Sequence, residues 1–173
     1  APGECLVAES LVITFVGVAR PGIVQDLTAM VHGQQGNWLE SKMSRMAGKF
    51  AGIALIEVSR ERLDALKEEL QGIPDVSVIV EMTDTQDSDA GMLSYELNIV
   101  GLDRQGILQE VTNELTRKNI NVIELETRVN SAPMSGDKMF HADASVLVPS
   151  SVDLIDLNDR LAAVADDLGV EIL

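Results

Sequence analysis

Leu11 to Val18, L-V-I-T-F-V-G-V, is a continuous run of β-branched and aromatic residues closed by Gly17 and Pro21, the pattern of a buried strand. Ile23, Val24, Leu27, Met30 and Val31 then recur at helical spacing as far as Gly33 and Gly36, which predicts an amphipathic helix. From Asn37 the period falls to two. Leu39, Ser41 and Met43 alternate with Glu40, Lys42 and Ser44, and Ala47-Gly48 forms a tight turn into a strand from Phe50 to Val58. Leu63, Leu66 and Leu70 mark a second helix, closed by Gly72 and Pro74, and Val76 to Met82 is a final strand. The predicted order is β-α-β-β-α-β.

The remainder of the chain repeats this order. Leu93 to Leu102 is a strand, Ile107 to Leu115 a helix, and Val122 to Val129 with Phe140 to Val148 a hairpin. Leu154, Leu157, Leu161, Val164 and Leu168 form the second helix, and Val170 to Leu173 the last strand. The residues repeat too: V-G-V-A-R-P-G-I-V-Q-D-L-T at Val16 to Thr28 returns as V-G-L-D-R-Q-G-I-L-Q-E-V-T at Val100 to Thr112. From Val16 to Val100 the offset is 84, and it gives nine identities between positions 16 and 40, including Asn37 with Asn121 and Glu40 with Glu124. It grows to 90 at Phe50 and Phe140 because the second hairpin has a longer connection, Ser131 to Asp137. Such a period exceeds the roughly 20 to 50 residues of a solenoid unit and fits a duplicated small domain.

Residues 1–82 and 93–173 are therefore expected to be two domains, joined by an acidic linker at 83–92 whose core, T-D-T-Q-D-S-D-A-G, has no apolar periodicity. Each copy reads as an α+β unit of ferredoxin-like plan, with both helices on one face of the sheet. Domains this small have marginal cores, so the tandem copies are expected to pack as a pseudo-symmetric pair.

Composition narrows the partners. With 46% hydrophobic and 24% charged residues the chain is globular in type, and no apolar run is long enough to suggest a membrane partner. Net charge is −15, distributed as −4 over 1–82, −3 over 83–92 and −8 over 93–173. Binding nucleic acid directly requires clustered Lys and Arg, so any genetic regulation would pass through a protein partner. Cys5 is the only cysteine, which excludes an internal disulfide, and with His32 and His141 as the only imidazoles no structural zinc site is expected. The opening segment has neither a basic stretch nor a long apolar one, so no signal peptide is expected there and a cytoplasmic location is the default.

The repeated element is a strand, a glycine, a turn containing Arg, a second glycine and a helix. The first glycine is expected to permit the turn and the second to let a ligand or backbone come close, while the helix start offers unpaired N–H groups to a small anion. Gly17 and Gly22 have the separation of a Walker phosphate loop, but Ile23-Val24 stands where Lys and Ser or Thr are required. No G-x-G-x-x-G, no G-x-S-x-G, no nucleophile with its base and no metal set is present, so neither an enzyme nor a cofactor is expected. A carboxylate, such as that of an amino acid, is the anion of suitable size. The alternative is that Gly22 and Gly106 only start their helices tightly.

Other polar and aromatic residues have plain structural readings. His32 complements a helix end, His141 lies on the sheet face opposite Phe140, and Trp38 packs or forms an interface. Glu40 and Glu124 keep an edge strand from unwanted pairing. Glu68-Glu69 and Asp166-Asp167 are solvated helix faces.

The loop pattern, the Asn that opens the second strand and the element order together resemble the ACT domain, a small regulatory module that senses amino acids. The resemblance covers nearly the whole chain, twice. It implies ligand-binding positions at Arg20, Gly22 and Asn37 in the first copy and at Asp103, Arg104, Gly106 and Asn121 in the second, the Asn being reached across a domain interface. Ala19 stands where the family pattern has Asp, and Gln105 where it has Pro, so Asp103 makes the second copy the better candidate. A tandem pair with no attached enzyme resembles members of the family that control transcription of glycine cleavage by contacting a DNA-bound activator. The alternative is a subunit, or a remnant module, that regulates an amino-acid or one-carbon enzyme in trans. Assembly into a homo-oligomer is left open.

Overall fold

The computed structural model describes residues 7–83 and 91–173. Residues 84–90 of the linker, and Cys5, lie outside the described residues. The chain divides into two units, Ala1–Gln86 and Asp87–Leu173.

The first unit runs β1 (Ala8–Val18), α1 (Ile23–Gly33), β2 (Asn37–Met46), β3 (Lys49–Ser59), α2 (Arg60–Gln71) and β4 (Val76–Met82). Its antiparallel sheet has the order β2-β3-β1-β4. Each helix thus links two parallel strands with a third strand between them, the interleaved arrangement of a ferredoxin-like fold. Leu11, Ile13 and Phe15 of β1 and Ala54, Ile56 and Val58 of β3 alternate inward against Ile23, Leu27 and Val31 of α1 and Leu66 and Leu70 of α2. These belong to the expected stripe, of which Val24 instead faces solvent, 43% exposed, because it follows Ile23 by one residue and turns off the buried face. Ala47 and Gly48 both take positive φ, 49° and 80°, as a two-residue hairpin turn of the kind that matches strand twist demands.

Leu39 departs from the expected alternation. A bulge between Trp38 and Glu40 shifts the register, so that Trp38 pairs with Ile56 and packs on the core while Leu39 is left half exposed. Ser41 and Met43 keep their inward face, since they pair with Ala54 and Gly52.

The second unit repeats the plan with β5 (Met92–Leu102), α3 (Ile107–Arg117), β6 (Asn121–Ser131), β7 (Lys138–Pro149), α4 (Leu154–Leu168) and β8 (Val170–Ile172), in sheet order β6-β7-β5-β8. The bulge recurs between Val122 and Glu124. Asp153 caps α4 by accepting from the backbone N–H groups of Ile155 and Asp156. Lys118, at the end of α3, donates to Asp156 at 2.6 Å, and this bond holds the Asp156 carboxyl below its ordinary value of 3.8.

The first repeated glycine has a different role from the one expected. Gly17 and Gly101 lie inside the first strand of each unit, not in the turn, and face the start of the last strand. A Cβ on Gly17 would sit 2.6 Å from the Asp75 carbonyl oxygen, and one on Gly101 2.5 Å from Val170 Cγ1 and 2.8 Å from Val170 Cα. Neighbouring backbone, not turn geometry, excludes a side chain here.

Gly101→Ala should therefore destabilise the second unit by about 1–3 kcal/mol through overpacking. Gly33→Ala, at a helix end with nothing within 4 Å and no positive φ, should be neutral or stabilising by up to about 1 kcal/mol. Urea unfolding of the two variants checks the contrast.

Candidate functional site

Each first strand ends in a loop tied to its hairpin, and the first is tied on a second side as well. In the first unit the Ala19 N–H donates to the Gly48 carbonyl at 2.9 Å, tying the loop to the hairpin tip, and the Val18 N–H donates to Asp75 O at 3.3 Å. In the second the Asp103 N–H donates to Lys138 O at 2.9 Å, the same tie. The loops then turn through Gly22 (φ 90°, ψ −3°) and Gly106 (φ 90°, ψ −1°), left-handed residues that begin α1 and α3 without any side-chain cap. The first-turn N–H groups of these helices therefore have no side-chain acceptor, unlike those of α4.

The arginines of the two loops diverge. Arg20 Nη2 is 2.9 Å from Asp26 Oδ2, and its Nη1 donates to the Pro21 carbonyl at 3.4 Å. Arg104 instead reaches across to the C-terminal end of α4 and donates to Asp167 O at 3.3 Å. Asp103 is exposed at the loop.

A cavity of about 470 Å3 opens over the first loop, between Ala19–Gln25 and the side chains of Arg45 and Phe50. Phe50 is half buried on the stacked ring of Phe15, 6.0 Å between centroids. Arg45 enters because it pairs with Phe50 beside the hairpin turn. Sequence reasoning passed over both residues; the signal available was the match of Phe50 to Phe140, next to a two-residue turn that folds β2 back beside the loop.

Asn37 and Asn121 stand elsewhere. Asn37 pairs with Glu57, and Asn121 with Leu147, at the end of each sheet away from its loop. Within one unit the Asn is roughly 25 Å of strand away from the glycine. Arg20 and Gly22 are thus brought together, as are Asp103, Arg104 and Gly106, while neither Asn joins the loop of its own unit. His32 lies in the last turn of α1, and His141 lies opposite Val100 and Arg128 on the sheet face away from the core. Among the described residues no group of three or more His, Cys, Asp or Glu is placed to hold a metal ion, and no helix is long and apolar enough to cross a membrane.

Comparison with known proteins places this geometry in context. ACT domain families match residues 9–83 and again residues 90–170. The glycine cleavage system transcriptional repressor of Escherichia coli (strain K12) is 22% identical over 164 residues, 93% of this chain and 86% of that protein. The crystal structure of an unknown protein from Galdieria sulphuraria superposes with a TM-score of 0.87 at 27% identity, covering 96% of this chain and 97% of that one. A crystal structure provisionally assigned as a glycine cleavage system transcriptional repressor gives 0.69 at 23% identity, covering 96% of each chain. At that identity it supports the fold alone.

At Gly22 and Gly106 the obstacle to a side chain is conformation, not space: nothing lies within 4 Å of a Cβ at Gly106, and only Arg20 Nη1, at 3.8 Å, near one at Gly22. Gly106→Val should cost about 1–3 kcal/mol of stability through strain at positive φ. Gly106→Asn, which tolerates that region, should cost clearly less. Denaturant melts of the pair separate strain from crowding.

Proposed function

The chain belongs to the ACT domain family, in two consecutive copies, and on that premise we propose that it is a non-catalytic regulator that senses a small amino acid and acts through a protein partner. The observation that carries this reading is the recurrence, in both copies, of an uncapped helix start behind a left-handed glycine. A ligand carboxylate fits these N–H groups, which the positive end of the helix dipole also favours. In the second unit Asp103 stands beside them as an acceptor for the ammonium group, and Arg104 frames the loop. In the first unit Arg20 and Gly22 hold the corresponding positions. Asn37 and Asn121, remote from the loop of their own unit, would contribute to a ligand held by another copy of the chain.

The name of the relative from Escherichia coli, a glycine cleavage system transcriptional repressor, supports transcriptional control of glycine cleavage as the process, and the proposed effector is glycine or serine. A chain of net charge −15 repels the phosphate backbone, so this control would operate through a DNA-bound protein.

Isothermal titration of the full chain should show glycine or serine binding ahead of a larger control amino acid. Asp103→Asn should weaken that binding about tenfold, as expected for a lost charged hydrogen bond, with the melting temperature nearly unchanged. Absence of amino-acid binding at millimolar concentration would end the sensing reading. In gel shifts at physiological salt the purified chain should leave duplex DNA free; a micromolar complex without any partner protein would contradict the adaptor role.

A further inference from the structure

The two loop sites have exchanged charge. At the first loop position the first unit has Ala19 and the second has Asp103. At the β2 position beside the hairpin, Arg45 pairs with Phe50, whereas its counterpart Val129 pairs with Phe140. One unit has gained a cation and lost an anion relative to the other, on the same backbone.

The consequence is confined to the cavity of the first unit. Two guanidinium groups line it and no carboxylate does. The Arg20 charge is matched by Asp26 at 2.9 Å. Arg45 has no hydrogen bond or ion pair to any described residue, so it is the uncompensated charge among the lining residues. An ammonium group placed here would meet only carbonyls and the Gln25 amide as acceptors, and it would be repelled by Arg45. The depression, about 470 Å3 and open to solvent on one side, has room for a body larger than glycine. Phe50 supplies an aromatic surface for such a body.

We propose that the cavity of the first unit binds a carboxylate borne on an aromatic or apolar body and lacking an ammonium group, with Arg45 as its counter-ion and Phe50 against the body. This rests on the reading of the first loop as a ligand site, since Gly22 and the start of α1 are shared with it, and departs from it in the ligand's class, leaving the amino-acid site to the second loop. A guanidinium can hold the carboxylate by two parallel hydrogen bonds, and the uncapped start of α1 adds a third donor direction.

The test uses two probes with the same carbon skeleton, 3-phenylpropionate and phenylalanine, titrated calorimetrically into the full chain. An Asp103→Asn background removes ammonium recognition at the second loop. 3-Phenylpropionate should bind at least about tenfold more tightly than phenylalanine, and Arg45→Val, which installs the residue of the second unit, should weaken it by about tenfold or more. Arg45 is exposed on an edge strand, so the variant should melt close to the parent; Arg45→Gln is a second variant that removes the charge and keeps the polarity. Equal or tighter binding of phenylalanine, unchanged affinity in both Arg45 variants, or no binding of 3-phenylpropionate at millimolar concentration would each overturn the proposal. Glycine binding that survives Arg45→Val but not Asp103→Asn would support the separate assignment of the two sites. Loss of glycine binding alone would leave this inference standing and remove only the amino-acid reading.

Discussion

Both units depend on a steric contact that only glycine satisfies. The last strand of each begins against the first strand where it has no side chain, with the Asp75 carbonyl oxygen over Gly17 and Val170 over Gly101. The contact lies just before the chain leaves the sheet, so it fixes where and at what height the loop departs. From that point the tie to the hairpin and the left-handed glycine leave little freedom, and the helix starts at the same place in both units. The helix starts are alike, φ 90°, ψ −3° and φ 90°, ψ −1°, and each follows the contact glycine by five residues.

Much of this was readable in advance, and the parts that were not have identifiable causes. Element order and the buried stripes follow from period alone: the spacing of Ile23, Leu27 and Val31 can bury one helix face and no other. The position of Leu39 does not follow from the pattern because a bulge adds one residue and leaves no mark where Trp38 and Leu39 are both apolar. The pattern around Gly17 suggests a turn residue because its real neighbour is some 60 residues away in sequence, the distance from Gly17 to Val76. The role of Arg45 was hidden for the same reason. It depends on β2 folding back beside the first loop, and a linear pattern shows which residues repeat but not which end of a strand they reach.

The duplicated copies separate what the fold requires from what the chemistry can vary. Glycines at the strand contact and the helix start are kept in both, as are the inward stripes. The residues that face open solvent around the loop differ in charge, in pairing and in size. Arg20 and Arg104 show this most clearly: the same residue, on the same backbone, pairs with Asp26 in one unit and with the end of α4 in the other. Identity of residue type at a site is thus a weak guide to its partner.

The longer connection of the second hairpin has a practical side. Its ends are clasped by the Ala132 N–H donating to Asp137 O at 2.7 Å, while Met134 at its tip is 100% exposed. The added residues lie wholly beyond the bond from Asp103 to Lys138, and the glycine that ends the loop has the same conformation as in the unit with the two-residue turn. The tip of this connection is therefore a natural insertion point for a circularly permuted fluorescent protein, close enough to the second loop to report on it and fastened by a clasp that isolates the fold from its cargo.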